Sequence, residues 1–271
     1  MLIKSPSAEP LFTPAFLEAL CRREPDLRNT LAAITWEGGQ SEIEGPIFEK
    51  ASKVLAYGGA STMAALSQRL GDRLVPYGPK LSVALISTDV EPRDIAMDLA
   101  RDIALFDQRG CLSIQAIFTD GDSQEFVSCL GQALAQQAQT WPQGPSDPRL
   151  VNQVRQQRDE ALMLGHLVAE TEISEGTVLV DPSATLTPSP GLRTVRIYPV
   201  ENLRQAMERL RPWRGQVQGA VLAGPGAWDL APKLKGLGVS RLVKPGQLQT
   251  PDARWHNGGI SPLDALSLGP E

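Results

Sequence analysis

Leu81-Ser82-Val83-Ala84-Leu85-Ile86-Ser87, the segment from Pro92 to Phe106, and Ile114-Gln115-Ala116-Ile117-Phe118 together decide the fold. The first and third stretches read as strands. The middle one carries Ile95, Leu99, Ile103 and Phe106 at helical spacing, so it reads as an amphipathic helix. Alternation of strand and helix is the pattern of a parallel α/β sheet.

The same alternation extends in both directions. Upstream, Met1 to Lys4 reads as the end of a strand. A helix runs from Thr13 to Arg23, with Thr13 as N-cap and Pro14 at the first helical position. Thr30 to Trp36 reads as a buried strand broken by Gly38-Gly39. A short helix covers Ile43 to Lys50, and a strand covers Lys53 to Tyr57. Gly58-Gly59 then lead into a helix from Ser61 to Leu70, capped by Ser61 or Thr62. Downstream, helices are expected over Ser123–Thr140, Pro148–His166, Asn202–Leu210 and Leu230–Leu237. Strands are expected over Thr177–Val180, Thr194–Pro199, Gly219–Ala223 and Arg241–Val243, and the remainder reads as loop. In such sheets ligands bind beyond the carboxyl ends of strands, which puts Lys4 and Gly58-Gly59 where a nucleotide sits.

At 271 residues the chain holds one large domain or two, and 42% hydrophobic residues suffice for a core. The net charge of −5 comes without a basic cluster, so nucleic acid is not an expected partner. No apolar run approaches the ~18 residues of a transmembrane helix, and the first residues do not read as a signal peptide. Three cysteines do not make a disulfide framework, and the expected location is the reducing cytoplasm.

Those cysteines differ in setting. Cys21 and Cys129 lie on helical segments beside apolar neighbours and read as core packing. Cys111 follows Gly110 at a helix–strand junction, in Phe106-Asp107-Gln108-Arg109-Gly110-Cys111-Leu112-Ser113. A tight turn on a rigid scaffold can hold a nucleophile, with free N–H groups for a developing oxyanion. A free cysteine is most often a small buried hydrophobe, and that reading stands beside the catalytic one. Neither histidine, His166 or His256, is near in sequence. Arg109, two residues away, is either a source of positive charge for the thiolate or a solvated loop residue.

The segment Phe106 to Gln115 resembles the active-site cysteine motif of the LuxC-type acyl-CoA reductases, which make long-chain fatty aldehydes and belong to the aldehyde dehydrogenase superfamily. Other pieces follow in the family's order. Lys4-Ser5-Pro6-Ser7 resembles a cofactor-binding segment, and Tyr57-Gly58-Gly59-Ala60-Ser61 resembles the glycine-rich turn facing the nicotinamide. Tyr77-Gly78-Pro79-Lys80-Leu81-Ser82 resembles the Gly-x-Lys-Ser approach to the catalytic domain. Arg193-Thr194-Val195-Arg196, Gly238-Val239-Ser240-Arg241 and Trp255-His256-Asn257-Gly258-Gly259 resemble the C-terminal part.

The resemblance implies an aldehyde dehydrogenase-like α/β fold. Residues 1–81 would be the C-terminal portion of a nucleotide-binding domain with a partial parallel Rossmann-type sheet, and residues 82–271 the catalytic domain. It implies NADPH-dependent reduction of a fatty acyl thioester, acyl-CoA or acyl-protein, to a fatty aldehyde through a Cys111 acyl-enzyme. Lys4, Ser7, Gly58, Gly59 and Ser61 would hold the cofactor, and no metal is implied. NAD-preferring members often carry a Glu where Ser7 stands; a carboxylate repels a 2′-phosphate and a serine hydroxyl does not, so NADP(H) is expected. Aligning on Lys80 puts Pro76 where aldehyde-oxidising members carry a general base. Proline cannot act as one, with Glu37 and Glu91 open as substitutes. The superfamily's cofactor domain starts well before the Lys4 strand, so an absent N-terminal portion is expected. The second reading is therefore a truncated, catalytically incomplete homologue, or one half of a split enzyme acting as a binding module. The partners implied are the acyl thioester, an acyl-transferring or synthetase protein or the absent N-terminal half, and further copies of the chain in a homo-oligomer.

Overall fold

The structure, a computed structural model, describes residues 1–7 and 9–267; the end of the expected catalytic domain, 268–271, lies outside them. The chain divides into two compact units, one built from Met1–Ala56 with Ala64–Pro76, the other from Tyr57–Met63 with Tyr77–Ser267.

The first part of the chain runs β1 (Leu2–Ser5), α1 (Phe12–Arg23), β2 (Ala32–Thr35), α2 (Ser41–Lys50), β3 (Val54–Tyr57), α3 (Ala60–Leu70) and β4 (Leu74–Tyr77). β1 and β2 pair in parallel, Leu2 opposite Ala32 through Ser5 opposite Thr35, and β3 pairs with β4. Three expectations shift here. Thr13 does not cap α1: the helix starts at Phe12, whose N–H donates to the Glu9 carboxylate at 3.2 Å. Neither Ser61 nor Thr62 precedes α3, which begins at Ala60. β2 is mostly exposed, not buried, because its sheet has only two strands; Trp36, just beyond it, is the residue that packs inside.

The second part runs β5 (Leu81–Ile86), α4 (Pro92–Ala104), β6 (Ile114–Thr119), α5 (Ser123–Thr140), α6 (Pro148–Met163), β7 (Thr177–Val180), β8 (Thr194–Pro199), α7 (Arg204–Leu210), β9 (Val217–Ala223), α8 (Pro225–Trp228), α9 (Ala231–Gly236), β10 (Arg241–Val243) and α10 (Pro262–Leu266). Six of these strands form one all-parallel sheet in the order β10-β9-β5-β6-β8-β7. Strands covered on both faces read as near-continuous apolar runs, and all six residues of β5 are buried. Ala84 and Ile86 face one layer, where Leu99 and Ile103 of α4 pack with Leu130 and Leu134 of α5. Val83 and Leu85 face the other, with Ala206 and Leu210 of α7 and Leu234 of α9. Phe106, expected on the α4 stripe, is 66% exposed because the helix ends at Ala104 and the backbone turns left-handed at Phe106.

Two register shifts bracket Ser82. Ser82 pairs with Ile114 and Val83 with Ala116, leaving Gln115 extra. On the other side Leu81 pairs with Val217 and Ser82 with Gly219, leaving Gln218 extra. Such bulges re-aim side chains and occur beside active sites.

Candidate active site

Cys111 sits in the turn between Leu105–Gln108, a short 3-10 segment, and β6. It therefore lies at the amino end of a sheet strand. The turn is tied down from several directions. The Ser82 hydroxyl, fully buried, donates to the Cys111 carbonyl at 2.8 Å and accepts the Gly219 N–H at 3.1 Å. Ser113 N–H donates back to the Gly110 carbonyl at 3.0 Å. Gln249 donates to the Ser113 hydroxyl at 2.8 Å and to the Asp102 carbonyl at 3.1 Å.

The thiol itself is half-buried, and burial pushes it above its usual range. The backbone N–H groups of Cys111 and Leu112 pull the other way, as does the positive charge of Lys80. Two expectations change. The thiol is raised rather than lowered, because desolvation of the thiolate outweighs the favourable groups. The cation acting on it is Lys80, whose ammonium also donates to the Gly215 carbonyl. Arg109 instead donates from an exposed position to the Pro145 carbonyl at 3.1 Å. The other cysteines match their sequence reading: Cys21 is buried, and Cys129 packs against the core.

Lys4 and Ser7 lie in the first unit. The Lys4 ammonium is 5.2 Å from the centre of the Trp36 ring and donates to the Ser5 carbonyl at 3.3 Å. The Ser7 hydroxyl donates to the Trp36 carbonyl at 3.3 Å. Both side chains are exposed, and a lysine with one bond made keeps two donors free. Gly58, Gly59 and Ser61 belong to the second unit, at the amino end of α3. A Cβ on Gly58 would press on Met63 and Thr62 at 3.2 Å, whereas Gly59 faces open space. Beside them the rings of Tyr57 and Tyr77 stack with centroids 4.6 Å apart, and the exposed Tyr57 covers the buried Tyr77. Within the first unit, the exposed Lys4 ammonium keeps donors that suit an anionic phosphate; within the second, Gly59 leaves the backbone open at the start of α3.

The structure brings several of the sequence motifs together. Arg193, nearly fully buried, makes a two-pronged pair with the Asp107 carboxylate at 3.1 and 2.7 Å. Gln218, on β9, donates to the Asn257 carboxamide, and Gly258 lies 3.9 Å from the Tyr77 ring as a Cβ would see it. Arg241 donates to the carbonyls of Gln247, Leu248 and Thr250. Sequence reasoning missed Asp102, which is buried in α4 and accepts the N–H groups of Gly246, Leu248 and Gln249 at 2.8, 3.1 and 3.4 Å. The only sequence signal was a carboxylate one turn from Leu99 and beside Ile103, on the apolar side of the helix. Glu37 and Glu91 are both exposed, and neither carboxylate is among the groups acting on the thiol. Among the described residues no cluster of side chains suits a metal ion, and no helix is long and apolar enough to cross a membrane.

Known structures share this architecture. An oxidoreductase from Marinobacter aquaeolei superposes with a TM-score of 0.71 at 14% identity, over 93% of this chain and 57% of its own. A salicylaldehyde dehydrogenase from Pseudomonas putida G7, solved with salicylaldehyde, gives 0.70 at 13% identity, over 96% of this chain and 59% of its own. The fold is that of the aldehyde dehydrogenases. In sequence, a long-chain acyl-protein thioester reductase of Aliivibrio fischeri is 22% identical over 271 residues, and one of Photorhabdus luminescens is 24% identical over 276. Each match takes in 98% of this chain and 56% of the relative, so the chain spans a little over half the length of these curated relatives. The profile of the acyl-CoA reductase (LuxC) family matches residues 1–268. The chain belongs to the acyl-CoA reductase (LuxC) family.

Proposed function

We propose that this chain carries the nucleophile of a fatty acyl thioester reductase, and that Cys111 takes the acyl group. The observation that carries the reading is the Cys111 turn: a half-buried thiol before β6 whose carbonyl is held by the buried Ser82 hydroxyl, which also takes the Gly219 N–H of β9, with two backbone N–H groups and the Lys80 charge favouring the thiolate. The thiolate attacks the acyl carbonyl carbon, a new C–S bond forms, and the donor's C–S bond breaks with its sulfur leaving as a thiolate. The Cys111 and Leu112 N–H groups, which already favour negative charge there, suit the developing oxyanion. When bound, the reduced nicotinamide supplies the hydride that turns the acyl group into an aldehyde. The bond between the Cys111 sulfur and the acyl carbon breaks as the aldehyde departs, and Cys111 returns as the thiolate that began the cycle. Pro76, where the resemblance places the hydrolytic base of aldehyde-oxidising members, cannot activate a water, so hydrolysis of the acyl-enzyme is poorly catalysed. Residues 1–81 are the proposed nucleotide-binding part and 82–271 the catalytic part.

NADPH is the proposed cofactor, with Lys4 and Ser7 at the 2′-phosphorylated ribose and Gly58, Gly59 and Ser61 at the nicotinamide end. That the relatives are long-chain acyl-protein thioester reductases supports the acyl thioester substrate.

Two measurements test this. Incubation with a long-chain acyl-CoA should add one acyl mass to the wild-type chain and none to Cys111→Ala; an unchanged acyl adduct in the Ala chain refutes the assignment. In cofactor titrations, Ser7→Glu should move the NADPH-to-NADH preference at least tenfold toward NADH, since a carboxylate opposes the 2′-phosphate. An unaltered ratio would place the ribose contacts elsewhere.

A further inference from the structure

Five non-glycine residues have left-handed backbone among the described residues: Phe106, Asp107, Gln108, Leu192 and Arg193, with φ between 51° and 60°. All five fall in two short segments. One runs directly into Gly110-Cys111, and the other runs into β8. L-residues adopt this conformation singly at a cost of roughly 1–2 kcal/mol each, so three in succession must be held by their surroundings.

The holding groups are explicit. The Gln108 carboxamide is buried and makes four hydrogen bonds. Its nitrogen donates to the carbonyls of Ile114 and Thr194, both at 2.7 Å. Its oxygen accepts from Thr194 N–H at 2.9 Å and lies 3.1 Å from the Ser189 hydroxyl, whose one proton it shares with the Thr194 carbonyl at 2.7 Å. Asp107 accepts from Arg193 on one oxygen and from Gly144 N–H at 3.1 Å on the other. Arg193 also donates to the Trp141 carbonyl at 2.9 Å. Each strained segment thus grips the other: Gln108 takes both backbone groups of Thr194, and Asp107 takes the Arg193 guanidinium. Gln108 reaches past Cys111 to Ile114, so the turn bearing the thiol is closed at both ends by one side chain.

We infer that this paired left-handed catch sets the orientation of the Cys111 thiol, with Gln108 as its positioning residue. Strain gathered in two segments that grip each other, one of them ending three residues before Cys111, and in no other non-glycine residue described, is the mark of a conformation kept for function. The catch fixes the backbone that leads from Gln108 to Ile114 across Cys111, including the Cys111 and Leu112 N–H groups that favour the thiolate; opening it frees that backbone and makes the thiolate harder to form.

The inference rests on Cys111 being the reacting thiol, and the experiment separates the two. Iodoacetamide labelling of each cysteine in the full chain, followed by mass spectrometry from pH 6 to 10, gives a rate profile for Cys111 with Cys129 as internal reference. Gln108→Met keeps the bulk and loses all four bonds. Its Cys111 midpoint should rise by about one pH unit, and its rate at pH 7 should fall about tenfold, the two being the same change below the midpoint. Mere loosening of the fold would speed Cys129 and Cys111 together and leave the Cys111 midpoint in place; that result overturns the inference, as does a folded variant with the wild-type profile. If Gln108→Met does not fold, Ser189→Ala removes one of the four bonds and should shift the midpoint in the same direction by less; no shift overturns the inference. Acylation of wild-type Cys111 by acyl-CoA, measured on the same preparation, reports on the nucleophile itself: its absence refutes the assignment and this inference with it.

Discussion

A thiol whose burial outweighs its favourable contacts reacts slowly at neutral pH, and the groups that oppose burial set how slowly. For Cys111 these are two N–H donors and one cation, Lys80. The N–H donors are backbone and survive any substitution that keeps the turn. The cation does not. Lys80→Met should raise the Cys111 midpoint further and slow both alkylation and acylation severalfold at pH 8. At a pH above both midpoints the two chains should converge, because the thiolate is then fully formed in each. A rate deficit that persists undiminished at high pH would mean Lys80 acts on the acyl donor and not on the thiol.

At the scale of elements, the site exists because β5 is flanked by a bulge on each side at Ser82. The bulges free Ser82 to hold the Cys111 carbonyl and the Gly219 N–H at once. Gly219 is required there for space: a Cβ would stand 2.8 Å from Leu248, 3.0 Å from the Ser82 hydroxyl and 3.3 Å from Leu112. Gly219→Ala should therefore cost about 1–3 kcal/mol, the range for overpacking a close-packed core, and should displace Ser82 as well. Thermal denaturation and Cys111 labelling on the same variant check both effects; a stable variant with normal labelling would show that the sheet spreads without disturbing the turn. The elements themselves were largely legible in the residues. α5 and the strands β7, β8 and β10 fall where periodicity and apolar runs put them, because their signals are local. β4 was not legible, since Pro76 interrupts a four-residue run and its pairing is with β3, far back in the chain. α10 hides in a Pro- and Gly-rich tail that reads as loop. The site was legible only in part. Cys111 stands out by its junction and its resemblance, but Gln108, Ser82 and Asp102 work through partners more than 25 residues away, and no spacing rule reports such contacts.

Across the whole molecule, one buried charge links the catalytic segment to global stability. Asp102 is fully buried, and burial raises its carboxyl to about 6 in spite of three N–H donors from Gly246, Leu248 and Gln249. The usual aspartate value is 3.8, and the unfolded chain keeps it. Between these values the folded state holds a proton that the unfolded state has lost. The contribution of Asp102 to stability is therefore fully present below pH ~4 and is lost as pH rises through about 6. The difference, about 2 pH units, corresponds to about 3 kcal/mol. Asp102→Asn has no proton to exchange, so its own contribution is flat across this window. Urea denaturation of both chains at pH 4 to 7.5 isolates the effect: the stability of wild type relative to Asp102→Asn should grow by about 2.5 kcal/mol as pH falls from 7.5 to 4, while the shared carboxylates cancel in the difference. A constant gap would mean that the carboxyl keeps its ordinary value and that the three N–H donors fully offset its burial. A growing gap would mean that the strap of residues 246–249, which reaches Cys111 through Gln249 and Ser113, is held at neutral pH by a charge the fold tolerates at a cost.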